Sequence, residues 1–221
     1  ANHIIIKAKQ PTLTISTNDA TIPYITGFDY DNDTIFAKEK YVYVNVADDG
    51  AGINYVTANG AQAQLVSKSA NTKTATYKFL ANGTQEYNIV VCDNVGNTRT
   101  QVYQQTKVDA QVIGNGSLVV THNAGGQDFT FSGTEFYAPN GQTINFVATA
   151  AQGNTFVGYS VDGNYSSASS NNFAVVADAD KTVVAKFKQI ADFSLNKTEY
   201  LYTGSDLTVD CTISPEGLDA N

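Results

Sequence analysis

Tyr41-Val42-Tyr43-Val44-Asn45-Val46 decides the fold. The three valines point one way and Tyr41, Tyr43 and Asn45 the other, the period of two that belongs to a pleated strand with one buried face. A helix would need apolar residues every 3.6 positions, and no stretch of helix length shows that pattern. Working outward, similar alternation predicts strands over residues 12–16, 54–58, 75–80, 87–92 and 98–104. Between them lie Asp48-Asp49-Gly50-Ala51-Gly52, Ala58-Asn59-Gly60 and Ala81-Asn82-Gly83, residue types that tolerate positive φ and close tight turns. Short strands at roughly 8–12-residue spacing, rich in Thr, Val and Tyr, predict a β-sandwich over residues 9–109.

A second series of strands is expected at 117–121, 129–132, 143–150, 155–161, 172–177 and 182–188, with Pro139-Asn140-Gly141 and Asp178-Ala179-Asp180-Lys181 as turns. The polar run 164–172 reads as an exposed loop, and 110–115 as a linker ahead of a small all-β domain over 116–189. From residue 190 a third pattern begins, with Tyr200-Leu201-Tyr202 and Gly204, and two or three strands cannot bury a face alone. Residues 190–221 are therefore expected to be the truncated start of a further β module. Residues 1–8, with Ile4-Ile5-Ile6, read as the end of a preceding one. The expected fold class is all-β: tandem small β modules.

Composition narrows the function. The 221 residues carry 13 Lys+Arg against 21 Asp+Glu, a formal charge of −8, and charged residues are only 15% of the chain, against about 25% for typical soluble domains. Without a basic excess, no nucleic acid is expected as a partner. Without an apolar run near 18 residues, no membrane insertion is expected. Two cysteines, Cys92 and Cys211, supply neither a disulfide framework nor a CxxC zinc cluster. Cys92 lies in Ile89-Val90-Val91-Cys92, where a thiol packs as a small apolar group; a Cys92–Cys211 bridge is the alternative. His3 and His122 stand near no nucleophile motif, and GxSxG, HExxH and GxGxxG are all missing, so no catalytic residue is assigned and the chain is read as no enzyme.

Two stretches resemble known families. Asn45-Val46-Ala47-Asp48-Asp49-Gly50-Ala51-Gly52-Ile53, followed by Tyr87-Asn88-Ile89-Val90-Val91-Cys92-Asp93-Asn94-Val95-Gly96-Asn97, is similar to the bacterial immunoglobulin-like domains. There Asp93 can cap the turn that Gly96 closes, Asn97 can bond back across it, and Tyr87 is placed to form a tyrosine corner. Residues from 114 to 188 resemble the divergent internalin-type B-repeat, on Gly153-Asn154-Thr155-Phe156-Val157-Gly158-Tyr159, where Tyr159 replaces the family's Trp, and on the closing run from Asp180 to Phe187. The tail resembles, through Tyr200, Tyr202 and Gly204, the opening of another surface-array module. Together these resemblances imply a secreted or wall-anchored bacterial surface protein.

Two candidate sites follow. Asp29-Tyr30-Asp31-Asn32-Asp33 sets three carboxylates at alternate positions, a spacing that can wrap calcium in a loop. Thr34 and Lys40 stand where an EF-hand needs Gly and an acid, so the leading reading is a solvated acidic loop; the alternative is a simpler calcium site between modules that recruits Asp48 or Asp49. Calcium is the one ion considered, and no other cofactor is expected. Tyr41 and Tyr43, on the polar strand face, offer rings for stacking on a glycan, with cross-strand pairing as the competing reading. The expected function is a non-catalytic structural or adhesive segment that spaces or presents binding domains. The alternative is an accessory carbohydrate-binding region of a larger extracellular glycan-active enzyme. Expected partners are host or cell-wall glycans or proteins and neighbouring modules of the same chain.

Overall fold

The computed structural model describes residues 19–168, 170–195, 204 and 211–214, and every element among them is a strand. The chain divides into two units, Ala1–Asp31 with Lys40–Tyr103 and Asn32–Glu39 with Gln104–Asn221. The expected all-β class is what the fold shows.

The first unit contains β1 (Tyr24–Tyr30), β2 (Glu39–Ala47), β3 (Ile53–Ala58), β4 (Ala61–Gln62), β5 (Gln64–Lys68), β6 (Thr74–Asn82), β7 (Glu86–Asp93) and the first part of β8 (Thr98–Ile113). One sheet has the order β1-β2-β6-β5; the other runs β8-β7-β3-β4. The alternation in β2 does what its period requires: Val42, Val44 and Val46 are buried, and Tyr41, Tyr43 and Asn45 lie outside. The valines pack with Tyr77 and Phe79 of β6 against Ile53 and Val56 of β3, Ile89 and Val91 of β7, and Tyr103 of β8. This makes a sandwich with one core. Each fully buried aliphatic side chain contributes about 1.5–3 kcal/mol of transfer free energy. Asn59 and Gly60, both at positive φ (49° and 79°), form the tight β3–β4 turn that their types favour.

The second unit contains the rest of β8 with β9 (Gly116–Ala124), β10 (Gln127–Ser132), β11 (Glu135–Pro139), β12 (Gln142–Ala150), β13 (Asn154–Val161), β14 (Asn164–Ser167), β15 (Asn172–Ala177) and β16 (Lys181–Gln189). One sheet is β10-β9-β12-β15; in the other, β14-β13-β16 continues to β8, which also takes β11. Its core is aromatic. Phe146 and Phe173 stack 5.3 Å apart, Tyr159 lies 3.9 Å from Phe173, and Phe136 meets Phe146 edge-on. Gly158 pairs with Ser167 of β14, and a Cβ there would overlap the Ser166 carbonyl oxygen, at a φ of +145°. That explains the second glycine of the quoted motif.

Several boundaries differ from the sequence reading. The expected linker 110–115 is strand through Ile113, because residues 108–113 of β8 pair in parallel with 181–186 of β16. The division falls at Tyr103/Gln104 rather than at 109/110, and Asn32–Glu39 joins the second unit, where Phe36 is buried against Phe131 and His122. Within the expected loop 164–172, residues 164–167 form β14, exposed throughout. β1, β5 and β11 carry weak alternation and were not expected. The expected strand 12–16 and the segment 1–8 lie outside the described residues. Of the expected further module, β17 (Asp192–Leu195) pairs antiparallel with β18 (Cys211–Ser214), whereas Tyr200 and Tyr202 lie outside the described residues.

Candidate functional site

The residues singled out in sequence reach different surroundings. Asp29, at the end of β1, accepts from the Asn45 side-chain amide at 2.6 Å. Asp31 accepts from the Tyr43 hydroxyl at 3.1 and 3.2 Å. Asp33 is exposed and belongs to the second unit. Asp29, Asp31 and Asp33 are not among the groups of three carboxylates that converge within ligand distance; among the described residues that convergence occurs at Asp19, Asp48 and Asp93. Asp48 converges with Asp19 and Asp93 rather than with the Asp29–Asp33 run, and Asp49 lies outside that group.

Both turns bearing Asp48 and Asp93 are built as their residue types dictate. Asp48 follows β2 and accepts through Oδ2 from the amides of Gly50 (3.1 Å) and Gly52 (2.6 Å). Gly52 needs its missing side chain, since its φ is +82° and a Cβ would strike Thr72. Asp93 ends β7, and its Oδ1 accepts from the amides of Val95, Gly96 and Asn97 at 2.7–2.9 Å, with Gly96 at φ +99°. The Asn97 amide group donates to Asp93 Oδ2 at 2.8 Å and also reaches the Asp19 and Thr21 carbonyls. The cap and back-bond expected from the Asp93–Asn97 run are present. Asp19 precedes β1, and bonds from the Thr21 hydroxyl and amide hold its carboxyl below the usual carboxylate range.

Tyr41 and Tyr43 occupy the outer face of β2, as expected. Tyr43 is engaged by Asp31, as above. Tyr41 is 41% exposed, carries the Lys78 ammonium 4.2 Å from its ring centre, and borders an open cleft of about 440 Å³ that Asn59, Gln62, Gln64 and Asn82 also line. Cys92 is a buried free thiol, as its apolar run implied. No helix among the described residues is long and apolar enough to cross a membrane.

Comparison with known proteins bears on the second unit. Residues 117–191 match the family of the divergent InlB B-repeat domain. The matched residues run from β9 past β16. Tyr159, at the position of the family's Trp, is half-buried and stacks on Phe173 of the aromatic core. No curated protein matches the chain. Among solved structures, Gamma-CGTASE from Alkalophilic bacillus clarkii aligns over 78% of this chain and 28% of its own, at 13% identity and a TM-score of 0.28. The chain thus spans less than a third of that protein's length.

Proposed function

We propose that this chain is a non-catalytic structural or adhesive segment of a secreted or wall-anchored bacterial surface protein, spacing or presenting binding domains. The observation that carries this reading is the B-repeat match over residues 117–191. The first unit supports it as a bacterial immunoglobulin-like module. Its strand orders, β1-β2-β6-β5 and β8-β7-β3-β4, are those of an immunoglobulin sandwich. Tyr87 forms the corner bond, accepting from the Asn82 amide at 2.9 Å and donating to its side-chain oxygen at 3.0 Å. Host or cell-wall glycans or proteins are the proposed partners. Antibodies raised against the chain should label intact, unpermeabilised cells of its source. Labelling only after lysis would overturn the proposal, as would turnover of any glycan or peptide by the purified chain.

The Tyr41 cleft favours a second reading, glycan contact as part of a larger glycan-active enzyme. An exposed ring beside four side-chain amides suits a sugar, stacking one face and bonding its hydroxyls. Glycan-array binding by the whole chain, lost in Tyr41→Ala, supports it; an array without signal ends it.

A further inference from the structure

The first unit holds a buried acidic group that the proposed function does not use. Asp48 and Asp93 are 1% and 0% exposed, and one oxygen from each, with one from Asp19, lies within 4.8 Å of the others. The protein's own donors satisfy most of the oxygens. Asp93 receives the three turn amides and Asn97, Asp48 Oδ2 receives Gly50 and Gly52, and Asp19 receives Thr21 and Ala51. The exception is Asp48 Oδ1, which is sealed from solvent and has no hydrogen-bond partner. A buried carboxylate oxygen without a donor carries its full desolvation cost. No salt bridge among the described residues reaches any of the three; the nearby Lys73 ammonium is directed to the Asp49 carbonyl.

Three carboxylates, one with a bare buried oxygen, want a cation of greater charge than a proton. All the converging atoms are hard oxygens, which select calcium or magnesium over the softer transition metals. Calcium accepts irregular sets of about six to eight oxygens, whereas magnesium holds to a near-ideal octahedron and gives up its waters reluctantly, so carboxylates fixed by their own turns suit calcium better. We propose that Asp19, Asp48 and Asp93 bind one calcium ion, which clamps the segment leading into β1 onto the β2–β3 and β7–β8 turns. The remaining coordination positions fall to water. Gly50 is part of the device, since a Cβ there would overlap the Asp19 carboxylate.

The test is calorimetric titration of calcium into the chelator-stripped 221-residue chain, with melting followed in parallel. The expected result is one ion per chain, with an affinity on the order of 10⁻⁴ M as in extracellular modules. At a hundredfold excess of calcium over Kd the melting temperature of the first unit should rise by roughly 10 °C. Magnesium should bind at least tenfold more weakly. Asp48→Asn should abolish binding and yet, in chelator, melt no lower than the natural chain, because its amide relieves the bare oxygen of a charge. Asp19→Asn, lying at the rim, should weaken binding at least tenfold should Asp48→Asn fail to fold. Asp29→Asn and Asp31→Asn should leave the titration unchanged. Absence of heat and of any melting shift in 10 mM calcium would overturn the assignment. So would unaltered binding in Asp19→Asn, or loss of binding in Asp31→Asn.

Discussion

Tyr87 shows how one hydroxyl can hold a turn. Its oxygen takes the Asn82 amide proton at the β6–β7 connection and returns its own proton to the Asn82 side chain. Tyr87→Phe keeps the ring in the core but leaves a part-buried amide unpaired, which should cost about 1–2 kcal/mol in denaturant unfolding. Lys40 lies at the other extreme, a side chain 2% exposed whose burial pulls its ammonium down to about 7 from 10.5. Between those values the unfolded chain holds a proton that the folded chain lacks, so stability should rise with pH from about 7 to about 9.5. Burial pushes Tyr30 up to about 12 from 10.0, so above pH 10 the unfolded chain loses its proton first and stability should fall. Melting temperatures across that range, flat from pH 7 to 9.5 in Lys40→Met, check the sign. Asp93 and Tyr87 were legible as residue roles because their partners lie within five positions. Asp19, Asp48 and Asp93 were not legible as a group, since 29 residues separate the first two and 45 the last two, and nothing local marks the convergence.

Among the elements, legibility followed burial on one face. β2, β6, β7 and β12 alternate cleanly because one side of each strand packs on a core. β5 and β14 are exposed along nearly their whole length and so carry no alternation to read. The β8–β16 pair escaped for another reason: parallel pairing needs a long crossover, so residues 108–113 meet partners some 73 positions away and no hairpin turn announces it. Asn32–Glu39 is a further case, a polar stretch with two large apolar residues. Ile35 and Phe36 are both buried, and the Phe36 carbonyl accepts from the Tyr137 amide at 2.9 Å. Phe36→Ala should destabilise the second unit by about 3–5 kcal/mol, read as a lower urea midpoint for the burial of Phe131 and Tyr137.

For the whole molecule the governing fact is that each unit has a core of its own. The first is built on valines and isoleucines around Tyr103, the second on stacked rings around Phe173. Phe146, fully buried in the second, should on replacement by Ala lose about 3–5 kcal/mol there. Amide exchange should then quicken in β9, β12 and β15 while β2, β3 and β7 keep their protection; uniform loss across both sets would mean a single cooperative unit.

The all-β class, the buried face of each well-patterned strand, the Asp93 turn and the Tyr87 corner are legible in the order of the residues alone. All of these follow from side-chain period or from contacts a few residues apart. The tertiary structure decided the rest. It carried β8 through the expected linker, placed Phe36 in the second unit's core, and gathered Asp19, Asp48 and Asp93 into one group. Those outcomes depend on which distant segments a sheet brings side by side, and strand pairing is selected by the burial energy of the assembled core rather than by any local pattern.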